Sequence, residues 1–143
     1  LTVSIRGPVA ALKAFLEASN LFRLVEVGDP ADVPQSPTAS ILLSRYSIPE
    51  TTLESIVEER AVTIRIYVAV GENSEERELE LDDMVSSLYT SFFDSFTLGG
   101  LVREIEPTKV TTTFAYQLIS GSVYRVVDIF LPMIIDDSAS FDE

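Results

Sequence analysis

The stretch "RAVTIRIYVAV", Arg60 to Val70, decides how this chain folds. Val62, Ile64, Ile66, Val68 and Val70 alternate strictly with Thr63, Arg65 and Tyr67. A period of two puts the first set on one face of a β-strand and the second set on the other. The strand pattern reaches back towards Ser55, which gives about 15 residues against the usual five or six. Upstream, "TASILLSRY" reads as its partner, with Ile41, Leu42 and Leu43 in succession, a sign that both faces are covered. Joined through "SIPETTLE", the two strands predict a long hairpin that projects from the sheet.

Outward from this hairpin the chain divides into recognisable pieces. "GDPADVPQSP" holds three prolines and a glycine in ten residues and so forms no regular element. It is expected to be an extended loop, held to the body by Val33. "LFRLVEV" before it reads as a short strand over Phe22 to Val27. "GPVAALKAFLEASN" reads as the first helix, with Pro8 at its first position and Asn20 as its stop. Val9, Leu12, Phe15 and Leu16 make its apolar face.

Downstream, "GENSEERELELDDMVSSLYTSFFDSF" carries the second helix. Asn73 or Ser74 caps it, with acids in the first turn, where the helix dipole favours them. Leu81, Met84, Val85, Leu88 and Phe92 form its stripe. A competing reading starts the helix at Asp82 and leaves "ELEL" as a strand end. After Pro107 one strand alternates through Val110, Thr112, Phe114, Tyr116 and Leu118. The next alternates through Val123, Arg125, Val127, Ile129 and Leu131. The short "SGS" loop between them predicts an antiparallel hairpin. The order predicts an α+β domain over residues 1–135, with two helices packed on one face of a largely antiparallel sheet. Residues 136–143 read as an acidic tail that orders on contact. No internal repeat or dividing linker is visible.

Composition narrows the chemistry. A chain of 143 residues buries roughly two-thirds of its unfolded surface, enough for a core without staples. Its 46% hydrophobic content is that of a globular chain. No apolar run approaches the roughly 20 residues that cross a bilayer, so no membrane partner is expected. The residues after Leu1 lack a leader's basic-then-apolar pattern, and a start at Leu leaves room for residues before it. With no cysteine and no histidine, disulfides, Cys-containing zinc sites and Ser-His or Cys-His pairs are excluded. A carboxylate-only metal site and a paired-carboxylate hydrolase remain open. The formal charge is −13, from 23 acids and 10 bases, a surface that repels nucleic acid at contact range. Only Lys13 and Lys109 are lysines. Acid excess with scarce lysine suggests salt adaptation, where screening makes self-repulsion tolerable; an acidic protein from a high-GC, mesophilic genome is the other reading.

Candidate sites fare poorly. Glu72, Glu75, Glu76, Glu78, Glu80, Asp82 and Asp83 lie at and before a helix start, where a solvated acidic face is expected. Asp136 and Asp137 have no third segment to complete a calcium site. The serines of "MVSSLYTSFFDSF" lack a nucleophile motif. Tyr116, Tyr124 and Phe114 suggest a base-stacking platform, against which the acidic background argues. "LGG", Leu98 to Gly100, follows a helix rather than a strand, so it is a helix stop at Gly99 and not a phosphate loop. Phe96 is expected on the core, and Leu98 to pack within the subunit. No catalytic residue, metal or cofactor is predicted.

The ordered set of features resembles the tail terminator, or tail completion, proteins of long-tailed viruses. The matching pieces are "ALKAFLEASNLFRLVEVGDPADVPQSPTASILL", "RAVTIRIYVAV", an acidic helix ending in "FTLGGLV", and "YRVVDIFLPM". They cover roughly residues 9 to 133 in that order. The resemblance implies a small α+β subunit without catalysis that assembles as a six-fold ring in the virion. The ring caps the tail tube, stops its polymerisation and meets a head-completion or neck protein, with DNA passing through the lumen. Thr97, Leu98, Gly99 and Gly100 are carried over as subunit interface or its border, and Arg65 and Tyr67 are assigned to the same interface. Glu72, Glu75 and Glu76 are assigned to the lumen or rim, where acids let a duplex slide. Ile48, Glu50, Leu53 and Ile56 are assigned to contact with the tube or neck. If the acidity is global salt adaptation, the lumen argument weakens. The alternatives are another neck ring protein, an acidic α+β binding module and a carboxylate hydrolase.

Overall fold

The computed structural model describes residues 5–30, 34–51, 56–70, 74–94 and 105–136. Five strands form one sheet: β1 (Leu24–Val27), β2 (Thr38–Thr51), β3 (Ile56–Ala69), β4 (Thr111–Ile119) and β5 (Ser122–Asp136), in the order β1-β2-β3-β5-β4. β1 is parallel to β2, and every other neighbour pair is antiparallel. Two helices, α1 (Arg6–Ala18) and α2 (Ser74–Asp94), complete an α+β domain, with a 3-10 turn at Pro107–Lys109.

The alternation of β3 builds the layers. Val62, Ile64, Ile66 and Val68 are buried in the main core, beside Ala39 and Ile41 of β2 and Val127, Ile129, Leu131 and Met133 of β5. Leu12 and Leu16 of α1 and Leu81, Leu88 and Phe92 of α2 belong to the same cluster, so both helices cover one face. The helices meet at Phe15 and Phe92, whose rings stack at 5.2 Å. Val70, the last of the predicted row, is exposed, one residue beyond the end of β3 at Ala69.

Among the described residues the other face is covered at one end. There Tyr67 and Tyr124 meet edge to face at 6.5 Å. The loop before β2 lies over them: the Tyr124 hydroxyl donates to the Pro34 carbonyl at 3.2 Å. The Ala69 N–H donates to Ser36 Oγ at 3.0 Å. Val33, expected to hold this loop, lies outside the described residues.

Local signals place the element ends. Pro8 is the third residue of α1, not the first, but an N–H in the first turn has no intrahelical acceptor in either place. Asn20 ends α1 in the left-handed region, φ 59°. α2 starts at Ser74, with Glu75 and Glu76 in its first turn, so the start at Asp82 is not the one adopted. β1 starts at Leu24, two residues inside the expected strand. Ser120 and Gly121, at φ 49° and 82°, make the two-residue turn between β4 and β5, a backbone that matches the twist of the flanking strands.

β2 and β3 are long, 14 residues each. Yet β5 accompanies β3 as far as Val57↔Asp136, so the described part of the hairpin lies within the sheet and does not stand clear of it. The strand alternation that predicts length says nothing of what lies alongside. Pro132 sits in β5 opposite Ala61, beyond Phe130, the last residue paired with β4. Its missing N–H therefore costs no ladder bond on that side.

Candidate functional site

Along β4 the described residues leave a surface exposed. On the helix side, β4 presents Phe114, Tyr116 and Leu118 in succession, beside Val127, Arg125 and Val123 of β5. Phe114, Tyr116, Leu118 and Val123 are 45%, 63%, 68% and 49% exposed. Arg125 anchors this surface to α2. Its Nε and Nη2 donate to the two Glu78 carboxylate oxygens at 2.7 and 3.2 Å, and its Nη1 donates to the Ala115 carbonyl at 2.9 Å. The guanidinium lies 4.4 Å from the Tyr116 ring centre and 5.6 Å from that of Phe114. The bond to Glu78 holds Arg125 further towards its charged form, and Arg125 in turn lowers the Glu78 carboxyl below its ordinary range.

The outer edge of β4 is open among the described residues, since β4 ends the strand order. The two-residue turn makes Ile119↔Ser122 a hydrogen-bonded pair, and alternate residues follow suit. Gln117, Ala115 and Thr113 thus turn their N–H and C=O towards β5. Leu118, Tyr116, Phe114 and Thr112 turn theirs outward.

A second open edge lies across the sheet. β1 pairs with β2 only through Ile41, so the outer side of β2 beyond it is unpaired among the described residues. Leu43 and Tyr46 there are 71% and 47% exposed. Both lie on the helix side: Leu43 pairs with the core residue Val62, and Tyr46 with Arg60, whose guanidinium sits 3.9 Å from the Tyr46 ring. The Tyr46 hydroxyl donates to Glu58, which raises the phenol's pKa. Arg45 points to the opposite face, where it pairs with Glu59.

The residues singled out from sequence are dispersed. Arg65 and Tyr67 share the face away from the helices. Arg65 donates two hydrogen bonds to Asp128, directly across on β5, at 2.8 and 3.1 Å, which strengthens its hold on its proton. Tyr67 is buried, and burial pushes its phenol up. Its ring meets that of Tyr124 edge to face. Glu75 and Glu76 are exposed on the first turn of α2, at the sheet end where β3 exits. Ile48 is exposed on β2, at the opposite end. Glu50 and Ile56 are described as backbone alone, paired with Val57 and Thr51. Glu72, Leu53, Thr97, Leu98, Gly99 and Gly100 lie outside the described residues, as do Phe96 and Asp137.

Tyr124 lies on the opposite face of β5 from its neighbour Arg125, so Tyr116, Phe114 and Tyr124 do not form one stacking platform. The sequence signal for the open edge was a gap in the acids. No Asp or Glu occurs from 107 to 127, the longest such run in the chain. Among the described residues no group of three carboxylates is placed to hold a metal ion, and no helix is long and apolar enough to cross a membrane. The chain matches no protein-family model and no curated protein sequence.

Proposed function

We propose that this protein is a tail terminator of a long-tailed virus. It acts as a structural subunit, without catalysis. Its copies form a closed ring, six-fold in the family it resembles, that caps the tail tube and ends tube polymerisation. The ring joins the tube to a head-completion or neck protein, and DNA passes through its lumen. The supporting observation is the character of the exposed surface. It is an open strand edge with an apolar row beside it, suited to another protein. The ordered motifs of the sequence favour the same reading. Exposed acids at the start of α2 suit a passage through which a duplex slides.

Tail length is the test. Particles made without the protein should carry tails that overrun their normal length, and purified protein should arrest growth of tube protein in vitro. Tails of normal length in its absence, with heads left unjoined, would make it another neck ring protein.

A further inference from the structure

We infer that the exposed row of β4 receives an amphipathic helix of a different protein, one that carries lysine or arginine along the flank facing α2. The docking rests on the described surface; placing that partner in a tail or neck rests on the reading above.

The floor is apolar. Phe114, Tyr116 and Leu118 of β4 and Val123 of β5 stand together on the helix side of the sheet, and all four are exposed. Arg125 lies against the Phe114 and Tyr116 rings and is fixed by Glu78 and the Ala115 carbonyl. A floor held in this way loses little side-chain freedom when it is covered. From Thr112 to Leu118 the strand spans about 20 Å, the length of a helix of about 13 residues.

Two contacts show which flank of α2 borders the row. Glu78 reaches Arg125, which lies opposite Tyr116. The Tyr89 hydroxyl shares a hydrogen bond with Thr112 Oγ1 at 2.6 Å. α2 therefore runs beside β4 and antiparallel to it. A helix packed against that flank rests its underside on the row. Apolar residues at i, i+3, i+4 and i+7 would cover the rings, as in other helix-in-groove docking.

The charge of that flank selects the partner. Side chains three and four apart share a helix face, so Glu75 and Asp82 lie on the same flank as Glu78. Both are exposed. Glu78 is taken by Arg125 and Glu80 by Arg77, but among the described residues no base pairs with Glu75 or Asp82. β4 carries no charge of its own. The border of the row thus stays negative after the described ion pairs are counted, and complementarity calls for a basic partner. A second copy of this chain does not supply one. The apolar faces of its α1 and α2 are already in its own core, and its acids would meet acids.

Two labelled peptides of about 14 residues test this at low salt by fluorescence anisotropy. Both carry leucine at the helical spacing above; one has lysine at the flanking positions and the other glutamate. The lysine peptide should bind about tenfold tighter than the glutamate peptide. Asp82→Lys should remove most of that preference. Glu17→Lys makes the same change in net charge on α1, which packs on β1 and β2, and should leave the preference in place. Leu118→Ser should weaken the lysine peptide about tenfold, with circular dichroism of the protein unchanged. Isotope-labelled peptide should show helical carbon shifts when bound.

No binding of the lysine peptide to the parent protein overturns the inference. So does an equal effect of Glu17→Lys and Asp82→Lys, which would mean general attraction to an acidic chain. Indifference to Leu118→Ser would place the peptide elsewhere, and extended carbon shifts would make it a strand; either overturns the docked helix. Docking of the expected pattern, by a protein whose loss leaves tails of normal length, upholds this inference and overturns the terminator reading. Overrun tails with no peptide docking do the reverse.

Discussion

Glu78 ties the start of α2 to the sheet through Arg125, and that tie is sensitive to acid. Its carboxyl binds a proton less readily in the folded chain than in the unfolded one. Its contribution is therefore complete above the ordinary carboxylate range and is lost as pH falls through the lower folded value. Stability against pH should thus decline on the acid side, and Glu78→Gln should flatten that part of the decline. Comparing urea midpoints of the two proteins from neutral pH downward checks this. Gly121 gives a second residue-scale expectation. Its φ of 82° is a left-handed conformation, and a Cβ added there meets nothing within 4 Å. Gly121→Ala should then cost about 1–2 kcal/mol by conformation alone, read as a lower urea midpoint with an unchanged slope.

At the scale of elements, α1 and α2 are joined by the stacked rings of Phe15 and Phe92 over a shared core. Phe92→Ala empties a fully buried site and should cost about 3–5 kcal/mol. Hydrogen exchange of α1 amides should speed up in this variant, because α1 leans on α2. Helix and strand positions were readable because burial imposes a period: Leu81, Leu88 and Phe92 recur at helical spacing, and Val62 to Val68 alternate. The partners of each strand were not. Alternation fixes which face a residue takes, but nothing local to β3 says that β5 lies beside it along nearly its whole length. The long hairpin was consequently expected to stand clear of the sheet. The site was legible only in pieces. Phe114, Tyr116 and Leu118 form one row in the sequence, but their exposure depends on what packs beside β4, a tertiary fact. A strand period likewise cannot show that Tyr67 is buried against Tyr124, whose hydroxyl reaches the loop before β2 at Pro34.

Across the whole molecule the charge of −13 is the dominant long-range term. The acids of α2 from Glu75 to Asp83 are exposed and close together. Mutual repulsion of this kind is screened over about 3 Å at molar salt against about 30 Å at 10 mM. The melting temperature should therefore rise from low to molar potassium chloride; equal values in both would remove the case for salt adaptation. Screening should also promote assembly by reducing repulsion between copies.

The position of β5 has a consequence for how the protein is made. It is the last of the described strands in chain order but lies between β3 and β4, supplying Val127, Ile129, Leu131 and Met133 to the core. During synthesis the earlier strands and both helices emerge before the strand that joins β3 to β4. Folding must wait until the ribosome has released Ser122–Asp136, and the contacts then formed join residues far apart in the chain, a slow kind of folding. Until that moment β3 has one side bare, and on a polysome many such nascent chains sit side by side. The repulsion of a strongly acidic chain keeps those unfinished neighbours apart.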